Sequence, residues 1–120
     1  MSTKTNSPNT KPKRLKGKIR IGVLFEKGKL YKADAIGLLA LPTSQSGGYY
    51  FGVTVSKKRV AKAVDRNAIK RQMRAVIRLE QEQLTDLKKG DYMLIFLANR
   101  KIDTAQLQKS YSELLAQLKF

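Results

Sequence analysis

A single α+β domain with the element order α-β-β-β-α-β-α is predicted by three features of this 120-residue sequence. Residues 49–56, YYFGVTVS, alternate between larger apolar and smaller or polar side chains, the period of a strand with one buried face. Residues 92–98, YMLIFLA, form a continuous apolar run suited to a central strand buried on both sides. In the closing segment, Leu107, Tyr111, Leu114, Leu115 and Leu118 recur at helical spacing and make one apolar stripe. With 42% hydrophobic residues the chain can build one core, and its length leaves no room for two.

The elements follow in order. Residues 1–13, MSTKTNSPNTKPK, carry three lysines and one apolar residue, the composition of a disordered basic tail, so the domain is expected over 14–120. Leu15, Ile19, Ile21, Val23, Leu24 and Phe25 precede Gly28, a common helix stop, and a first helix is expected over 16–27 despite Gly17 and Gly22. A brief strand at 29–32 comes next. AIGLLAL at 35–41 reads as a strand closed by Pro42, and TSQSGG after it as a hairpin loop. On the strand at 49–56, Tyr49, Phe51, Val53 and Val55 form the core face, whereas Tyr50, Gly52, Thr54 and Ser56 leave the other face shallow and open. A long helix should begin between 61 and 65 and run to 83, with a loop at 87–91 before the strand at 92–98. Asp103 or Thr104 can cap the last helix.

Composition narrows the chemistry. The chain has no cysteine and no histidine, which removes disulfides, thiolate metal sites, imidazole bases and the nucleophilic machinery built on them. No apolar run approaches the roughly 18–20 residues that cross a bilayer, and the first residues lack the apolar centre of a secretion signal. A cytoplasmic protein with no membrane contact is the expectation. Lys and Arg number 25 against nine Asp and Glu, a formal net charge of +16. From residue 79 onward bases and acids cancel, so the whole excess lies in residues 1–78. A one-sided excess of this kind points to a polyanionic partner, nucleic acid first.

The excess is densest in SKKRVAKAVDRNAIKRQMRAVIR, residues 56–78. Lys57, Lys58, Arg59, Lys62, Arg66, Lys70, Arg71, Arg74 and Arg78 stand there against a single acid, Asp65. Like charges four apart on a helix repel, and Lys62, Arg66, Lys70, Arg74 and Arg78 keep that spacing throughout. At about 100° per residue, Asn67, Arg71, Arg74 and Arg78 fall within an arc of roughly 60°. Ile69, Met73, Val76 and Ile77 cluster on the opposite side. One face can dock on the sheet while the other offers a row of guanidiniums, whose planar forks grip phosphate oxygens bidentately. Neither a helix-turn-helix nor the exposed mid-strand aromatics of an RNA-recognition motif is present, so phosphate tracking and shape reading of folded RNA fit better than base reading.

FGVTVSKK at 51–58, followed by AVDRNAIKRQMR at 63–74, resembles the protein subunit of bacterial ribonuclease P. Arg14-Leu15, Phe25 and Gly28 extend the likeness upstream, so that it covers about residues 14–118. The resemblance implies a mixed sheet with a left-handed β-α-β crossover, against the usual rule. It implies removal of the 5′ leader from precursor tRNA, with chemistry performed by a catalytic RNA that holds Mg2+; the protein itself holds no cofactor and no metal and supplies no catalytic residue. The partners implied are that RNA, in a 1:1 complex with one protein monomer, and precursor tRNA. RNA contact would fall on Arg66, Asn67, Lys70, Arg71 and Arg74, joined by Lys57, Lys58, Arg59, Lys62 and Arg78 of the same basic segment. Leader contact would fall on Phe25, Leu39, Thr54, Lys57 and Lys58.

Three positions depart from the family pattern. Ala68 stands where a second arginine is usual, Ile21 where an aromatic is common on the first helix, and Leu39 where the sheet often has a tyrosine. By the resemblance, Phe25 would then be the main platform for stacking a leader base. Composition alone also admits a ribosomal or other structural RNA-binding protein, against which the ordered motif argues. A self-sufficient nuclease would need converging carboxylates, yet Glu26, Asp34 and Asp65 each stand among bases.

Overall fold

The computed structural model describes residues 11–43 and 47–118. Its elements are β1 (Lys13–Arg14), α1 (Lys18–Lys27), β2 (Lys29–Ala33), β3 (Ile36–Pro42), β4 (Tyr49–Val55), α2 (Ala63–Leu79), β5 (Gly90–Phe96) and α3 (Thr104–Leu118), with a 3-10 turn at Gln81–Asp86 after α2. The strands form one mixed sheet in the order β1-β4-β5-β3-β2. β1, β4 and β5 run parallel, and β3 and β2 are antiparallel to their neighbours. α2 therefore crosses over between the parallel neighbours β4 and β5.

One face of the sheet packs on α2 and α3. Ile36, Leu38, Tyr49, Phe51, Val55, Tyr92, Leu94 and Phe96 meet Ile69, Met73, Val76 and Ile77 of α2 and Leu107, Tyr111, Leu114 and Leu115 of α3. At its centre Phe51 stacks on Tyr92, with ring centroids 5.0 Å apart, and meets Tyr111 edge-on at 6.4 Å. The other face carries a smaller cluster, Leu15, Leu24, Leu39 and Met93, beneath α1. β5 is thus buried on both faces, as its unbroken apolar run requires.

Five expectations need correction. Composition puts the end of the tail at residue 13; residues 1–10 lie outside the described residues, but Lys13 and Arg14 pair in parallel with Tyr50 and Phe51 as an edge strand. Two residues carry no readable periodicity. What holds them is the open backbone edge of β4, where Leu15 donates its N–H to the Phe51 carbonyl at 3.0 Å, and the burial of Leu15 itself. The segment after β3 does not close a hairpin, because β5 lies between β3 and β4; residues 44–46 of it lie outside the described residues.

The first helix starts at Lys18 rather than 16, since Gly17 takes a φ of 99° that ends helical geometry on that side. α2 stops at Leu79 rather than 83. The next place on its buried stripe is Glu80, a carboxylate that accepts from Gln83 and Gln108, and the tighter 3-10 turn beyond it buries Leu84 instead. β5 begins and ends two residues earlier than expected, running from Gly90, where a Cβ would lie 2.5 Å from the Leu41 carbonyl oxygen, to Phe96. Asp103, not Thr104, caps α3, its Oδ1 accepting from the Gln106 N–H at 2.9 Å.

Candidate nucleic-acid interface

α2 is where sequence and packing agree most closely. Its buried residues are Ile69, Met73, Val76 and Ile77, the four expected to dock on the sheet. Burial of each such side chain contributes about 1.5–3 kcal/mol, which fixes the helix rotation about its axis. The opposite face is thereby aimed outward: Asn67, Arg71 and Arg78 are exposed and Arg74 half-buried, with half-buried Lys70 on the flank between the two faces. Among the described residues, none of Lys70, Arg71, Arg74 and Arg78 forms an ion pair. Partial burial, and then the nearby Arg14, hold the Arg74 guanidinium below its usual range. A cation kept in that setting gains from any anion that comes between the two arginines.

Two of the expected contact residues do something else first. Arg66 turns back to donate to the Val60 and Ala61 carbonyls at 3.0 and 2.7 Å. Arg59 donates to the Leu97 carbonyl at 2.5 Å. Together they tie the loop between β4 and α2, which presents Lys57, Lys58 and Lys62 as exposed ammonium groups. The ridge available to an external anion is accordingly Asn67, Lys70, Arg71, Arg74 and Arg78, with those three lysines at its N-terminal end.

The structure adds cations that the sequence placed in its neutral half. Asn99, Arg100 and Lys101 follow β5 and line a pocket of about 210 Å³ with Arg59, Lys62 and Asp65. Lys101 pairs with Asp65 at 3.4 Å. No local pattern marks these residues; they converge because β4 and β5 are parallel neighbours and both end beside the start of α2.

On the other side of the sheet, α1 packs over β3 and β5 and leaves β4 beside it. The exposed part of β4 there is Gly52 and Thr54, both half-buried. Tyr50, expected to be open, is covered: the Arg20 guanidinium lies 4.1 Å from its ring centroid and the Lys13 ammonium 5.6 Å. Arg20 in turn donates through Nε and Nη2 to the two oxygens of Asp91, at 2.8 and 2.6 Å. That carboxylate pushes the Arg20 pKa above its usual value. α1 is thus latched over the Tyr50 end of β4.

The five residues expected to touch a leader divide. Phe25 is 53% exposed on α1, since its neighbour Leu24 takes the core position. Thr54, Lys57 and Lys58 stand at the far end of β4. Leu39 needs correction as a surface contact: it is only 6% exposed and packs with Leu24 and Met93, so it supports the cleft from below.

Fold and ridge define a class, a small basic α+β domain that turns an unneutralised cationic helix face outward. A family model described as Ribonuclease P matches residues 10–119, and the chain belongs to the ribonuclease P protein family. It is similar to the ribonuclease P protein component of Chlorobaculum tepidum, 37% identical over 117 residues, which span 87% of this chain and 76% of that one. The component from Idiomarina loihiensis is 51% identical over 49 residues, 41% of this chain and 38% of that one. The solved RNase P protein of Staphylococcus aureus shares the fold, with a TM-score of 0.73 at 23% identity over 89% of this chain and 97% of that chain. Family membership places the chain on the protein side of a tRNA-processing ribonucleoprotein.

Proposed function

We propose that this protein binds the catalytic RNA of ribonuclease P through the α2 ridge and holds the 5′ leader of precursor tRNA in the cleft beside α1. The observation that carries the reading is the row Arg71, Arg74 and Arg78, mounted opposite a packed stripe, flanked by Lys70 and forming no ion pair among the described residues. Such a face gains from phosphates that neutralise it, and arginine forks fix the register of a folded RNA backbone. In this reading the RNA performs the hydrolysis with Mg2+ that it holds itself. The protein's share is binding: Phe25 offers a ring for one leader base, while Thr54, Lys57 and Lys58 meet the leader backbone. One protein monomer pairs with one RNA in the cytoplasm.

Reconstitution tests this. Purified protein is expected to cleave no precursor tRNA alone, and to lower the Mg2+ concentration at which a bacterial ribonuclease P RNA removes the leader. Cleavage by RNA-free protein would contradict the division of labour. Recovery of ribosomal RNA alone from a pull-down would favour a structural RNA-binding role instead.

A further inference from the structure

Beside the ridge, the edge strand β1 and the C-terminal half of α2 enclose a recess of about 230 Å³, lined by Pro12, Lys13, Arg14, Phe51, Val53, Arg74, Ile77 and Arg78. Its walls differ in kind. Successive strand residues point to opposite faces, and Lys13 and Leu15 belong to the α1 side, where Lys13 lies over Tyr50 and Leu15 is buried with Leu24. Arg14 therefore points to the α2 side, where Arg74 and Arg78 stand. Phe51, Val53 and Ile77 supply an apolar floor between these three guanidiniums, and among the described residues no carboxylate lines the recess.

A purely phosphate-tracking surface has no use for that floor. The backbone of a paired helix keeps its bases inside, so its phosphates reach the arginines without filling the recess. A small apolar molecule suits the floor but not three cations. What matches both is an unpaired nucleotide, which joins an anionic phosphate to a flat, poorly solvated base. The volume agrees, because it lies below the roughly 300–1,000 Å³ of pockets that bury drug-sized ligands and suits one base rather than a base pair.

We propose that the recess between β1 and α2 receives a single nucleotide extruded from the partner RNA, with its phosphate between Arg14 and Arg74 and its base against Val53 and Ile77. The proposal rests on the reading of the α2 ridge as RNA-facing and adds a site that reads RNA shape. The ridge grips paired backbone anywhere, whereas the recess registers the protein at a bulge or an unpaired junction. It also gives β1 a purpose, since the strand builds the second wall.

Two RNA hairpins with the same stem test it, one fully paired and one with a single-nucleotide bulge, titrated against the whole chain at one salt concentration by fluorescence anisotropy. The bulged hairpin is expected to bind roughly tenfold tighter, the effect of burying part of one base face against an apolar floor. Val53→Phe fills the recess without altering charge, and should bring the two affinities together while leaving the paired hairpin's unchanged. Arg14→Gln, at an exposed edge position held by backbone pairing, should also reduce the preference and guards against a packing defect in the first variant. Equal wild-type affinities, with salt-sensitive binding to both, overturn the recess and leave the ridge reading intact. A bulge preference that survives both substitutions also overturns it. Salt-insensitive binding to both hairpins overturns the two readings together.

Discussion

On the α1 side of the sheet, Arg20 donates to both oxygens of Asp91 and lies on the Tyr50 ring; on the α2 side, Arg71, Arg74 and Arg78 form no ion pair among the described residues. The same residue type holds an element in place on one face and, in the function proposed above, meets RNA phosphates on the other. What separates the two uses is the acid. Asp91 is buried at the start of β5, where an unpaired carboxylate would be costly, so its arginine is committed to the fold. α2 has Asp65 alone in its first turn, which pairs with Lys101, and among the described residues no carboxylate pairs with its later arginines. Charge count alone cannot tell these uses apart; the distribution of partners does.

The largest expected effect lies on the α2 side. Arg71→Ala with Arg74→Ala should weaken binding to ribonuclease P RNA by roughly one to two orders of magnitude, as the loss of two phosphate contacts implies. The thermal midpoint should stay close to that of the wild type. A lowered midpoint with unchanged affinity would show that these arginines serve the fold as Arg20 does.

Asp91→Asn should invert that pattern. With its carboxylate removed, Arg20 no longer clamps α1 to β5, and stability should fall by about 1–2 kcal/mol in urea titration, a figure discounted for the solvent exposure of the arginine. RNA affinity should fall less than in the double α2 variant. The smallest effect concerns a third case, a buried polar group that has neither role. The Tyr111 hydroxyl is fully buried with no hydrogen-bond partner among the described residues. Burial pushes its pKa far up, so it is neutral at any physiological pH. Tyr111→Phe removes the unsatisfied hydroxyl and keeps the ring against Phe51. It should leave stability unchanged or raise it by up to about 1 kcal/mol, read as a small upward shift of the thermal midpoint. A clear loss would mean that the hydroxyl has a role in the fold.

What could be read from the sequence follows the same physics. The docking stripe of α2, the alternation in β4 and the two-sided burial of β5 repeat over several residues, so periodicity exposes them. β1 has only two residues and owes its existence to an edge built more than thirty positions later in the chain. Leu39 reads as a surface contact by family position, yet Leu24 covers it, a fact of packing that its own neighbours in sequence do not announce. Arg100 and Lys101 sit in a stretch whose charges cancel along the chain but separate in space. The Arg20–Asp91 latch joins residues 71 positions apart, beyond the reach of any local pattern.

The salt dependence of RNA binding tests the central claim, that the α2 arginines are mounted to be neutralised by RNA phosphates. Plotted as log affinity against log salt, each neutralised phosphate contributes a slope of roughly −0.7 to −0.9. Arg71→Ala with Arg74→Ala is expected to flatten the wild-type line by about two such increments. Parallel lines for the two proteins would contradict the account.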